Sequence, residues 1–375
     1  MRFNKVLILS FILFSLTVPV IPLLSSIRSP EKPQPVKIGL LLADSLSTAA
    51  RNGAELAINE ANKKGGLNGR PFELVVRSME GPWGTGSKQA ISLVFDEKVW
   101  AILGSHDGRN AHLAEQATAK THVVLMSAWP GDPTLSAAFV PWYFSCAPND
   151  NQQADILIEE IYNRRNLSRV ALVSGRDYDS ELAMKSFISR VEQKLQSSPL
   201  QFTCENQLTC INTIVDSISR LKAGSIVLFG NPALSLRIIQ VMRQRGMNQP
   251  IFGNLALLDE NIIPNRRFQD YPDVIFVASQ GWQNQQSMNF VKEYQSTWHH
   301  DPGMVAAFAF DGMNLLIEAI RNAGSPDREK IQDWLAKTRY KGVTGTIRFD
   351  ERGNPVGNYN LISFRNGLPV EVEKR

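Results

Sequence analysis

From Lys37 onward the chain alternates short apolar runs with stretches of helical period, and it does so in two series. KIGLLL (37–42) reads as a strand, after which Ala54, Ala57, Ile58 and Ala61 fall at i, i+3, i+4 and i+7 on one helix face. Gly65-Gly66 ends that helix, Asn68-Gly69 turns the chain, and FELVVR (72–77) is the next strand. A helix near 87–97, a strand at WAILG (100–104), a helix near 110–120 and a strand at VVLMS (123–127) repeat the unit. Strands that are apolar on both faces need cover on both faces. Regular alternation with helices therefore restricts the fold to α/β, with an open parallel sheet between helical layers.

After Pro148-Asn149-Asp150 the alternation resumes. The pattern predicts a helix near 151–163, strand RVALVS (169–174), a helix near 179–195, strand SIVLFG (225–230) and a helix near 233–246. Strands IFG (251–253) and VIFVAS (274–279) follow, then helices near 287–298 and 304–323. Val305, Phe308, Ala309, Leu316, Ala319 and Ile320 share one face of the last of these. A short helix near 327–337 precedes an expected strand pair, GTIRFD (345–350) with YNLISF (359–364). The expectation is two doubly wound lobes, which 375 residues are enough to build.

Charge narrows the partners. Forty Lys+Arg against 36 Asp+Glu leave +4, too balanced for a protein that tracks phosphates, so nucleic acid is set aside. Ahead of the first strand, Arg2 and Lys5 precede an uncharged apolar run from Val6 to Leu24, then Ser25-Ser26 and a Pro-rich stretch. This reads as an export leader. Its length approaches the roughly 20 residues of a membrane span, while Pro19 and Pro22 weaken a continuous helix. The leader is either cleaved or kept as an N-terminal anchor, and both place the rest of the chain outside the cytoplasm. There an oxidising environment would let Cys204 and Cys210, separated by ENQLT, close a small disulfide loop. The third cysteine, Cys146, reads as a small buried hydrophobe.

Four segments carry a resemblance: KIGLLLADSLSTAARNGAELAINEANKKGGLNGRPFELV (37–75), VWAILGSHDGRNAHLAEQATAKTHVVLMSAW (99–129), AFAFDGMNLLIEAIRNAG (307–324) and GVTGTIRFDERGNPVGN (342–358). In this order they resemble the leucine-binding, type I periplasmic binding proteins. The resemblance implies two Rossmann-like lobes joined by a three-crossover hinge, with crossovers near Cys146 to Asn151, Ser279 to Trp282 and Gly353 to Tyr359. Lobe one would comprise 33–148 plus 280–356, lobe two 149–279 plus 357–375, and 1–32 the leader or anchor. It further implies a monomer that clamps a small-molecule ligand between its lobes and delivers it to an ABC transporter permease, with no cofactor, no metal and no catalysis.

Ligands of open parallel sheets bind outside the carboxyl ends of the strands, which selects the loops to inspect. In the first, Ser45 and Ser47 either contact ligand or cap the next helix. After WAILG, the resemblance implies a helix start that offers a backbone N–H and a hydroxyl to a ligand carboxylate. Gly108 and Arg109 stand there, so the hydroxyl is missing and a guanidinium has arrived. Arg109 either clamps an anion bidentately or pairs with Asp107. Ser105-His106-Asp107 spells a catalytic trio, but consecutive residues do not arrange themselves as nucleophile, base and orienter. Trp129 either walls the cleft or packs under its loop.

In lobe two, Tyr178 is the expected principal contact, and Asn231 and Asn254 either hydrogen-bond ligand or form turns. Leu255 stands where amino-acid-binding relatives place an acidic residue for the ammonium, which counts against an ordinary zwitterion. Trp282 either closes over ligand or packs the hinge, and Asp311 either reaches the lobe interface or serves packing. GPWGTGSK (81–88) lacks the Gly-Lys-Ser/Thr order of a P-loop, and His299-His300 has no metal-ligand spacing around it. The expectation is an ABC-importer solute-binding protein taking an amino acid or a related carboxylate or amide with a flat or apolar body. The alternative is a tethered sensory module with the same clamshell, and an enzyme ranks last.

Overall fold

The structure is a computed structural model that describes residues 33–82, 84–104, 106–195, 198–263, 265–279, 285–357, 359–365 and 368–373. The apolar leader, Ser105 and Trp282 lie outside the described residues. The first series is β1 (Val36–Leu42), α1 (Thr48–Lys63), β2 (Phe72–Ser78), α2 (Thr85–Phe95), β3 (Ala101–Leu103), α3 (Gly108–Thr121), β4 (Val124–Ser127) and β5 (Tyr143–Ser145). Its strands form one parallel sheet in the order β2-β1-β3-β4-β5. β4 is buried throughout, as a central parallel strand must be.

The second series runs α4 (Asp150–Ile158), which continues into a π-helical turn at Glu159–Arg164, then β6 (Val170–Ser174), α5 (Tyr178–Leu195), β7 (Leu200–Thr203), α6 (Leu208–Arg220), β8 (Ser225–Phe229), α7 (Pro232–Gln244), β9 (Ile251–Gly253) and β10 (Val274–Ser279). Helices α8 (Gln285–Trp298), α9 (Met304–Ala323) and α10 (Arg328–Lys337) and strands β11 (Tyr340–Gly342), β12 (Gly345–Ile347), β13 (Tyr359–Arg365) and β14 (Leu368–Glu371) follow. The second sheet has the order β14-β13-β10-β9-β8-β6-β7, parallel from β7 to β10 and antiparallel at β13 and β14.

The almost wholly buried α9 packs on α1 and on β3 and β4 of the first sheet. That packing is close: a β-carbon on Gly53 of α1 would lie 2.1 Å from the Ala306 carbonyl oxygen. The two α/β lobes are thus as expected, with six differences of detail. GTIRFD and YNLISF do not pair with each other; β12 pairs with β11, whereas β13 joins the second sheet beside β10. The strands β5, β7, β11 and β14 and the helix α6 are additional.

Cys204, at the end of β7, and Cys210, in the first turn of α6, form a disulfide with their α-carbons 6.0 Å apart. Cys146 is free and buried, and burial together with the Asp311 carboxylate pushes its thiol pKa up. Among the described residues no helix is long and apolar enough to cross a membrane.

Candidate functional site

Strand order reverses between β1 and β3 in the first sheet and between β6 and β8 in the second. These switch points leave the following loops and helix starts free to face a ligand. After β3, Asp107 caps α3 by accepting from the Asn110 N–H at 2.9 Å. After β6, Asp177 accepts from the Ser180 N–H at 3.0 Å and fixes the start of α5.

The two helix starts meet across the cleft. The Gly108 N–H donates to both carboxylate oxygens of Asp179, at 3.1 and 3.3 Å. A larger residue at that contact would displace the Asp179 carboxylate, because a β-carbon on residue 108 would lie 2.6 Å from Asp179 Oδ1 and 3.1 Å from Asp132 Oδ2. The Tyr178 hydroxyl donates to Asp132 at 3.0 Å, and the Arg109 guanidinium lies over the Tyr178 ring, 5.1 Å from its centre. Arg109 therefore meets an aromatic face instead of a carboxylate.

Asp132 is buried and well supplied with donors: the Thr134 N–H and hydroxyl and the His112 ring at 3.0 Å join Tyr178. Burial opposes its charge, but the bonds from His112, Thr134 and Tyr178 outweigh that and hold its pKa below the usual range. Hydrogen bonds to Asp132 and then to Glu115 push His112 up to about 9, so that ring is a cation at neutral pH. On the other side of the α3 start, His106 pairs with Asp259 at 2.8 Å and stacks on Trp129 with the ring centres 5.8 Å apart. Burial disfavours the charged His106 ring, but Asp259 outweighs it and raises the pKa.

Asp150 opens α4. It is 7% exposed, and among the described residues its carboxylate accepts one hydrogen bond, from the Gln153 amide at 3.5 Å. Burial first, then the charges of Asp179 and Asp132, push its pKa well above the usual carboxylate range. Asp179 is raised to about 6 by burial and by Asp107.

Asp259 belongs to a tripeptide, Asp259-Glu260-Asn261, that follows β9 and serves three elements around the first sheet. Glu260 accepts from the N–H groups of Gly303, Val305 and Ala306 at 3.1, 3.0 and 2.8 Å, capping α9, while Asn261 accepts from the Ala49 N–H of α1 at 3.0 Å. Burial and the neighbouring Asp259 raise the Glu260 carboxyl to about 7.

Of the residues singled out from the sequence, Gly108, Arg109, Trp129 and Tyr178 converge here. The others are engaged elsewhere. The Ser45 hydroxyl donates to Glu80 at 3.4 Å, and Ser47, at the N-cap of α1, donates to Asp44 at 3.0 Å without capping the helix with its side chain. Asn231 caps α7 through the Leu234 N–H, and Asn254 accepts from the Gly230 N–H, tying the loops after β8 and β9 together. Asp311 is fully buried and holds the 343–344 turn through the N–H groups of Val343 and Thr344 and the Thr344 hydroxyl. Sequence reasoning passed over Asp132, Asp150, Asp179 and the 259–261 tripeptide. The signal for Asp179 was its place beside Tyr178 at a helix start; for Asp150 and Glu260 no local signal distinguished them from turn and cap residues. Among the described residues no group of His, Cys, Asp and Glu is arranged to hold a metal ion.

Residues 35–367 match the family described as periplasmic binding protein. The chain belongs to this family. Among its curated relatives, the leucine-, isoleucine-, valine-, threonine- and alanine-binding protein of Pseudomonas aeruginosa is 20% identical over 312 residues, 81% of each chain. Among solved structures, the branched-chain amino acid transporter substrate binding protein LivJ of Streptococcus pneumoniae, in complex with isoleucine, is similar with a TM-score of 0.78 and 22% identity, covering 90% of this chain and 98% of that one. A solute binding protein of an ABC transporter from R. palustris, in complex with benzoate, is similar with a TM-score of 0.77 and 18% identity, covering 90% and 95%. Both neighbours are described as binding proteins of transporters, and at these identities the likeness shows the fold.

Proposed function

We propose that the protein works outside the cytoplasm as the solute-binding component of an ABC importer, closing its two lobes over a small organic molecule and presenting the closed form to the permease. One observation carries the reading: the helix starts at the switch points of the two sheets meet face to face, so both walls of the cleft end in directional polar groups. Gly108, Arg109, Tyr178 and Asp132 form the polar lining, and Trp129, packed edge-on against Phe308 at 6.2 Å, backs it. The related proteins solved with isoleucine and with benzoate carry ligands that share a carboxylate, and on this reading a carboxylate is the group that the α3 start suits. Here Asp179 of the chain itself sits at that start.

Hinged closure gives a direct test. Protein stripped of solute by unfolding and refolding should show a smaller radius of gyration in X-ray scattering once the small molecules released from native protein are returned. No released solute, together with an unchanged radius, would refute the reading.

A further inference from the structure

Given that solute-binding reading, the charges lining the cleft select the class of solute. We propose that it is an organic cation, an amine or amidine, whose charged head lies between Asp150 and Asp179 next to Tyr178 and which carries no carboxylate at that end.

The argument begins with compensation. Among the described residues neither Asp150 nor Asp179 forms an ion pair, whereas Asp132 has His112 at 3.0 Å. Arg109 forms no ion pair with either and is turned to the Tyr178 ring. Among the described residues both carboxylates thus lack a countercharge, and Asp150 has more than nine-tenths of its surface buried with one marginal amide hydrogen bond. Enclosing an unpaired carboxylate is strongly unfavourable, so a closed cleft must take up protons or receive a cation. The raised pKa of Asp150 and the value of about 6 for Asp179 express the same demand. Gly131, which faces it, has no side chain to meet it: Asp150 Oδ1 lies 2.4 Å from where a β-carbon would stand there.

The second part is exclusion. The N–H at the start of α3, a donor that an anion could use, is already taken by Asp179. A solute carboxylate would have to expel Asp179 and then sit against Asp132, which lies 3.1 Å from the same β-carbon position at residue 108. A bare metal ion is a poor occupant, since the carboxylates are not gathered into a coordination shell among the described residues. An ammonium or amidinium group, with several donors spread over its head, can reach dispersed carboxylates.

The test uses the solute-free full chain, titrated calorimetrically with probes that differ in a single group: 3-methylbutylamine against leucine, and benzamidine against benzoate. The amine and the amidine are expected to bind about tenfold or more tightly than their carboxylate-bearing counterparts. Asp150→Asn should remove that advantage, and Asp179→Gly, which frees the Gly108 N–H, should let benzoate bind. Tighter binding of leucine or benzoate by the unaltered protein, insensitive to Asp150→Asn, overturns the cation assignment while leaving solute binding intact. Should a variant fail to fold, mass spectrometry of the solute released from native protein decides: a cation supports the proposal, an anion or zwitterion overturns it. No released solute and no bound probe would sink the solute-binding reading as well.

Discussion

Replacing Glu260 with Gln should make the protein gain stability relative to wild type as the pH rises from 5 to 8. In the folded chain its carboxyl titrates at about 7, against an ordinary value of 4.5, because burial and Asp259 outweigh the N–H bonds from α9. The folded state therefore holds this proton more tightly than the unfolded state does. The resulting stabilisation is complete below about pH 4.5 and is lost as the pH climbs through 7. Each pH unit between those values is worth about 1.4 kcal/mol, so the full contribution is about 3 kcal/mol. Gln keeps an oxygen for the three N–H donors and has nothing to titrate. Urea unfolding of both proteins at pH 5 and pH 8, at one ionic strength, reads the effect, because groups not coupled to Glu260 contribute to both and cancel, leaving its own titration and its pull on His106. A Gln variant that instead loses ground at pH 8 would show that the charge–dipole attraction at the start of α9 exceeds the cost of burying the carboxylate, and the reasoning would be wrong.

Three further outcomes are expected. Asp311→Ala strips three acceptor contacts from a fully buried turn and should cost about 3 to 5 kcal/mol in urea unfolding; a loss below about 1 kcal/mol would mean the 343–344 turn finds other partners. Peptide mapping without reduction should recover Cys204 joined to Cys210, while Cys146, buried and with a raised pKa, should react with an alkylating reagent only after unfolding; rapid labelling of native protein would contradict its burial.

Most of the fold could be read from the chain because its dominant signal is local. A fully buried parallel strand is a short apolar run, and the helices between such runs show their own period. What escaped was weak locally or was a question of partners. β7 alternates half-buried and exposed residues at the sheet edge, and β5 is three residues long. α6 does carry a readable stripe, Ile211, Ile214, Val215 and Ile218, which begins beside the second cysteine of the pair. The true partners of β12 and β13 depend on which sheet each joins, and adjacency in sequence says nothing about that. At the site, the loops were selectable from strand order, but the contacts that give it its charge join residues far apart in sequence, such as Gly108 with Asp179 and His106 with Asp259. Asn231, Asn254 and Asp311 show the converse. A polar residue at a strand end is as useful to the backbone around it as to a ligand, and only the partner distinguishes the two roles.

The tripeptide after β9 has a consequence for how this chain can vary. Loops usually accept insertions and deletions more readily than the elements they join. Here consecutive residues each address a different first-sheet element: Asp259 the ring of His106, Glu260 the start of α9, and Asn261 the first turn of α1. A substitution at one position forfeits one tie. A single-residue deletion just ahead of Asp259 displaces all three side chains together and leaves three sets of donors facing the wrong neighbours. Spacing along this segment is thus under tighter constraint than the chemistry of any one of its residues, the reverse of what its position in a surface connection would suggest.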